Sequence, residues 1–96
     1  MDGIQREQNG RRGAFFIEQD GKRIAEMTYS GDEAGRVLMI DHTEVDPSLR
    51  GQGVPRKLVE AAVAWAREGS KKIVPVCPMA SAIFRREKSF ADVLAT

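Results

Sequence analysis

Apolar and polar residues alternate in short runs over the first half of the chain, and the period lengthens to a helical one in the second. Ala14-Phe15-Phe16-Ile17-Glu18-Gln19 reads as a strand, Asp20-Gly21 as a tight turn, and Arg23 to Tyr29 as the returning strand. In that second strand Ile24, Glu26 and Thr28 share one face, and Ala25, Met27 and Tyr29 share the other. After the polar loop Gly31 to Gly35, the run Arg36 to Val45 predicts a third strand. Three strands joined by short turns predict an antiparallel meander. From Val54 the apolar positions Val54, Leu58, Ala61/Ala62 and Trp65 fall on one helical stripe, with Arg56, Lys57, Glu60, Arg67 and Glu68 on the wet side. Gly69 stops that helix. Lys72 to Val76 predicts a fourth strand, and Pro78 to about Glu87 a short helix with Met79, Ile83 and Phe84 inward. Phe90, Val93 and Leu94 are expected to dock as an apolar tail, whereas Met1 to Gly13, polar and glycine-bearing, is expected to be a frayed, flexible start. The order β-β-β-α-β-α implies a sheet with helices packed on it, an α+β or α/β arrangement.

Composition narrows the function class. A chain of 96 residues is expected to form one domain, with no repeats, linkers or low-complexity segments. Fifteen basic residues against 14 acidic ones leave a net charge of +1, which gives no reason to expect nucleic acid or a membrane surface as partner. The single cysteine, Cys77, cannot close an internal disulfide and fits a reducing compartment; with a polar N-terminus lacking an apolar signal core, the expectation is a cytoplasmic protein.

Chemistry is concentrated at Leu49-Arg50-Gly51-Gln52-Gly53-Val54-Pro55, between the third strand and the long helix. Two glycines there let the backbone turn sharply and approach a ligand. The helix aims its free N–H groups and positive dipole end at the turn, a site suited to phosphate. The turn lacks the Lys-Ser/Thr of a Walker loop. It also follows three strands rather than the first strand of a βαβ unit, so it is not the dinucleotide fingerprint. Glycines also mark many ordinary strand-to-helix connections, and a plain turn is the competing reading. His42, the only histidine, has a side chain whose ordinary titration range suits a general base; it is equally at home as a hydrogen-bonded strand residue. On simple alternation His42 shares a face with Ile40 and Glu44, opposite Asp41 and Thr43, and Glu44 is a further candidate base. Cys77 precedes Pro78 and a short helix, where a helix N-terminus favours thiolate; a buried small hydrophobe is the alternative. Arg85, Arg86 and Lys88 form a basic cluster at a helix end, where the dipole favours cations. Phe15, Phe16, Phe84 and Trp65 read as core.

The motif Arg50-x-x-Gly53-x-Pro55 resembles the Gln/Arg-x-x-Gly-x-Gly/Ala signature of the GNAT acetyltransferase superfamily, apart from its last position. Asp41-His42-Thr43-Glu44-Val45, Arg50-Gly51-Gln52-Gly53 and Pro75-Val76-Cys77 together look like the small GNAT-like group of about a hundred residues. Trp65-Ala66-Arg67 and the ending Phe90 to Leu94 add to the likeness, which covers Ala14 to Leu94. The resemblance implies an α+β GNAT-like fold over residues 1–96, with a mostly antiparallel sheet. A splay is then expected between the strand ending at Val45 and the one ending at Val76. It implies acetyl-coenzyme A as co-substrate and N-acetyltransferase activity on an amine, small molecule, peptide or protein lysine. The backbone of Arg50, Gly51, Gln52, Gly53, Val54 and Pro55 would hold the pyrophosphate. The backbone of Thr43 to Val45 would pair with the pantetheine arm as an added strand. His42 would act as base or substrate orienter and Cys77 would lie at the acyl end, with no metal. Arg85, Arg86 and Lys88 would lie toward the adenosine 3′-phosphate at most. Pro55 removes one phosphate donor while suiting the start of a helix, so binding is expected to persist but weaken. A chain this short is expected to lack the N-terminal elements that build the acceptor site in longer members, and so to have an open acceptor groove. A non-catalytic coenzyme A-binding or protein-interaction module, monomeric in either case, is the alternative.

Overall fold

The computed structural model describes residues 3–95; Met1, Asp2 and Thr96, parts of the expected flexible start and docked tail, lie outside the described residues. Five strands form one sheet in the order β1-β2-β3-β4-β5: Ile4–Asn9, Arg12–Gln19, Lys22–Gly31, Val37–Val45 and Lys72–Pro75. β1 to β4 run antiparallel, and β5 joins β4 in parallel after the helix α1, Val54–Glu68. A second helix, α2, covers Pro78–Arg86, and a 3-10 segment, Lys88–Val93, carries the tail back to β5.

The start of the chain differs from expectation. Ile4 to Asn9 is a paired strand, in register from Ile4↔Ile17 to Asn9↔Arg12, and β2 begins at Arg12 rather than Ala14. No apolar alternation announces β1, because one core-side position is Arg6. Its guanidinium lies 4.2 Å from the Trp65 ring centroid and donates to the Tyr29 hydroxyl at 2.9 Å. A cation–π contact and a long aliphatic stem take the place of a buried apolar side chain. Beside it Phe15, Tyr29 and Trp65 form an aromatic cluster with centroids 5.4 to 5.9 Å apart. Gly13 is required there: a Cβ would come within 2.4 Å of the Tyr29 ring and 2.6 Å of the Glu7 carbonyl.

The Asp20-Gly21 turn forms as predicted, both residues having positive φ (53° and 76°), the backbone of a type I′ hairpin. Val54, Leu58, Val59, Ala62, Val63 and Ala66 bury the apolar side of α1 against the sheet residues Phe15, Met27, Tyr29, Ile40 and Ile73. On α2, Ala80, Ile83 and Phe84 face the core; Met79, expected inward, is 43% exposed, because the inward place in the first turn is taken by Ala80. Phe84 meets Phe90 edge to face at 5.8 Å, which docks the tail.

Both helices pack on one face of the sheet. Cross-strand rows define the other. Ala14, Thr28 and His42 make one row, and Phe16, Glu26 and Glu44 the next. Among the described residues no helix covers this face. Phe16 is sheltered instead by Arg23, 3.8 Å from its ring centroid and paired to Glu26 at 2.9 Å and to Glu7 at 2.5 Å. No helix is long and apolar enough to cross a membrane among the described residues.

Candidate functional site

The site is built where β4 and β5 part. Their pairing runs from Val37↔Lys72 to Ile40↔Pro75 and ends there. The N–H groups of Val76 and Cys77 both donate to the Ile40 carbonyl at 3.0 Å, and the chain then turns into α2. β4 continues to Val45 with only β3 beside it. Asp46 N–H donates to Ile24 on β3 at 2.8 Å, so by alternation the backbone groups of Val45 and Thr43 point away from β3, into the opening. This is an unpaired strand edge facing a cleft, at the position expected for the splay.

A β-bulge sets which side chains reach that cleft. Thr28 pairs with His42, whereas Tyr29 pairs with Ile40, so Asp41 is an extra residue on β4. The parity of the strand flips across it. Thr43 falls in a core-side row with Phe15 and Met27, and Val45 in one with Ile17 and Ala25. His42 therefore does not share a face with Ile40, as simple alternation predicts. It lies with Glu44 on the open face of the sheet. The two side chains are 67% and 77% exposed and 3.9 Å apart.

Cys77 is brought to Thr43. The thiol sulfur and the Thr43 hydroxyl are 3.4 Å apart, and either can donate. Cys77 also caps α2, its sulfur accepting from the Ala80 N–H at 3.4 Å. The residue is buried, 5% exposed, at the inner end of the opening. His42 and Cys77 thus approach the cleft from opposite faces of the sheet. The Thr43 hydroxyl is a candidate side chain that sequence reasoning missed; only its backbone was singled out, because the bulge that turns it inward leaves no mark in the apolar pattern.

The glycine turn flanks the same opening. Asp46 starts a short 3-10 turn, Pro47–Leu49, its carboxylate accepting from the Ser48 N–H at 2.9 Å. That bond, followed by one from the Ser48 hydroxyl, holds the Asp46 carboxyl below the usual carboxylate range. Gly51 and Gly53 then take φ of 82° and 70°, a left-handed conformation that glycine adopts at no steric cost. Space around both is open. The N–H groups of Gly51, Gly53 and Arg56 have no backbone acceptor among the described residues, and Gly53 caps α1 with no side chain to occupy them. Val54 is fully buried, so its side chain belongs to the core. Pro55 is the second residue of α1 rather than the first, and still removes one of the free N–H groups of the opening turn. Arg50 and Gln52 are exposed beside the turn. Free donors at a helix start and an unpaired strand edge alongside suit a pyrophosphate joined to an extended amide-bearing chain.

The basic cluster is divided by α2. Arg86 lines a cavity with Arg56, Ile83 and Glu87, whereas Arg85 and Lys88 line a separate one. Arg56 bridges to Glu87 at 3.0 Å, which holds the Glu87 carboxyl below its ordinary range.

The fold has counterparts in known proteins. A GCN5-like protein from Staphylococcus aureus, solved by NMR, is 34% identical to this chain. The likeness covers 99% of this chain and 91% of that one, with a TM-score of 0.72. The ribosomal-protein-alanine N-acetyltransferase of Brucella melitensis shares the fold at 20% identity and a TM-score of 0.64, over 92% of this chain and 64% of its own. A Clostridium acetobutylicum protein solved with acetyl-CoA does so at 16% identity and 0.58, over 79% and 56%. No curated protein sequence matches. Residues 14–93, which include most of β2, all of β3 to β5, both helices, the opening and the glycine turn, match the GCN5-related N-acetyl-transferase family. The α+β sheet parted between β4 and β5 and that match agree: the chain belongs to the GCN5-related N-acetyltransferase family.

Proposed function

We propose that this chain is an N-acetyltransferase that takes the acetyl group of acetyl-coenzyme A and passes it to an amine, acting as a cytoplasmic monomer. The observation that carries the reading is the Thr43–Cys77 contact at the inner end of the β4/β5 opening, flanked by the open amides of Gly51 and Gly53. Arg50, Gly51, Gln52, Gly53 and the start of α1 at Val54 and Pro55 hold the pyrophosphate. The backbone of Thr43 and Val45 holds the pantetheine arm and so sets the thioester beside Cys77.

The acceptor amine arrives from the open face of the sheet. His42, with Glu44 behind it, removes the ammonium proton, directly or through water. The free amine attacks the thioester carbon, a C–N bond forms, the now cationic nitrogen gives up its extra proton to water, and the C–S bond breaks as the carbonyl re-forms. The sulfur leaves as thiolate on the opposite side, where the Cys77 S–H supplies a proton, and solvent returns one to Cys77 by way of the Thr43 hydroxyl. Base and acid then serve the two sides of one carbon, which their placement on opposite faces favours.

A non-catalytic coenzyme A-binding module is the second reading, favoured by the absence of any helix over the acceptor face among the described residues. Calorimetric titration with acetyl-coenzyme A, using acetyl-pantetheine as the control without pyrophosphate, followed by turnover with an amine panel, separates them. Saturable binding that acetyl-pantetheine does not match, together with acetyl-amine product, supports the enzyme. Binding without product supports the module, and no binding at millimolar ligand overturns both.

A further inference from the structure

β5 is used on both edges. β4 occupies one, and on the other Leu94 forms a parallel bridge to Ile73, with the Ala95 N–H donating to Ile73 at 2.9 Å. Between that far edge, α2 and the tail lies a cavity of about 260 Å³, lined by Pro75, Ser81, Phe84, Arg85, Lys88, Ala91 and Leu94. It shares Pro75, the last residue of β5, with the opening on the β4 side and no residue with the glycine turn. Pro75, Phe84, Ala91 and Leu94 give it apolar walls, and Ser81 is its single neutral polar residue. Ser81, Phe84 and Arg85 stand on α2 at helical spacing and Lys88 opens the 3-10 segment that follows, so the floor and the two cations come from one continuous stretch of chain.

Several cations of this molecule are engaged by partners, and these two are not. Arg11, Arg23, Arg56 and Arg67 each pair with a carboxylate, and Lys71 and Lys72 donate to carbonyls. Arg85 and Lys88 have neither an ion pair nor a side-chain hydrogen bond among the described residues, and no carboxylate lines the cavity they flank. An apolar cavity with a few convergent polar groups is the usual form of a small-molecule site. A guanidinium fork beside an ammonium group selects a carboxylate, and the walls select an apolar body. We propose that this cavity binds a small organic acid consisting of an aryl ring or short alkyl chain with one carboxylate. Its size suits one ring on a short chain.

The test is an NMR titration of the full chain with 4-phenylbutyrate, followed on backbone amides. Butyrate, which lacks the ring, and 4-phenylbutanamide, which lacks the charge, serve as controls. The expected result is saturable shifts at Phe84, Ala91 and Leu94, with Gly51 and Gly53 unmoved. Loss of the charge-assisted contacts should weaken binding by about tenfold, both for the amide with wild type and for the acid with an Arg85→Gln/Lys88→Gln variant. Ala91→Trp, which fills the cavity, should abolish the shifts. Absence of saturable shifts at millimolar ligand, equal affinity for acid and amide, or shifts centred on the glycine turn would each overturn the proposal.

Discussion

Cys77 has two jobs that one substitution can separate. As the cap of α2 it satisfies the Ala80 N–H, and beside Thr43 it meets the cleft. Cys77→Ala should lower kcat for acetyl transfer by about a hundredfold, with little change in the Kd for acetyl-coenzyme A, because it removes a proton donor and leaves the cradle intact. It should also cost about 1 kcal/mol of stability in denaturant unfolding through the lost cap. Cys77→Ser keeps the cap and should restore most of the stability but little of the rate. If Cys77→Ala retains full kcat, the thiol has no part in the chemistry. Thr43→Val removes the hydroxyl while keeping the shape, and should lower kcat by about tenfold through the lost hydrogen bond. At Pro55 the expectation is opposite in sign. The missing N–H lies in the opening turn of α1, so Pro55→Ala supplies a donor without glycine's added chain entropy. Coenzyme A should bind about tenfold more tightly, the worth of one charge-assisted hydrogen bond. Calorimetry showing equal or weaker affinity would mean that the phosphates do not reach this turn.

Elements with a periodic apolar signal were legible: α1 was read with the bounds it has, and β3, β4 and the type I′ turn close to theirs. Two elements were not, each for a local reason. β1 is an edge strand held by Ile4 against the core, by Arg6 over Trp65 and by Glu7 to Arg23, and with one apolar residue among these its composition looks like a solvated tail. The Asp41 bulge is an added residue with no composition of its own, yet it decides that Thr43 faces Cys77 and His42 does not. The expected sharing of a face by Ile40, His42 and Glu44 therefore holds for His42 with Glu44 and fails for Ile40, across the bulge. The turn between β4 and α1 rests on Asp46, and its dependence on pH has a definite sign. Its folded pKa is depressed by the Ser48 N–H and hydroxyl. The stabilisation is complete above the unfolded carboxylate value of about 3.9 and is lost as pH falls through the lower folded value. Asp46→Ala should weaken coenzyme A binding at neutral pH by loosening the approach to Gly51. The Tm gap between variant and wild type should be widest at neutral pH and begin to narrow only below about pH 4, closing as pH falls through the lower folded value. A gap independent of pH would assign the effect to packing rather than to the carboxylate.

At the scale of the whole molecule the sheet has one face covered by α1, α2 and the tail, and one open. The proposed reaction needs both, with the leaving sulfur against the covered side and the incoming amine from the open side. The open face has the chemistry for this, since His42 and Glu44 stand on it in rows with Thr28 and Glu26. Thr28 is directly across from His42 and takes no part in the cleft, which makes it the place to put an obstacle. Thr28→Trp suits a strand surface, so the fold should hold. If amines approach over this face, the indole should raise KM for the amine at least tenfold by blocking a site that holds substrate near His42. The Kd for acetyl-coenzyme A should stay unchanged, because the glycine turn and the free edge of β4 are untouched. A fall in coenzyme A affinity with an unchanged amine KM would place the acceptor on the covered side and remove His42 from the mechanism. The split between the two constants is informative because a merely destabilised variant would weaken both together.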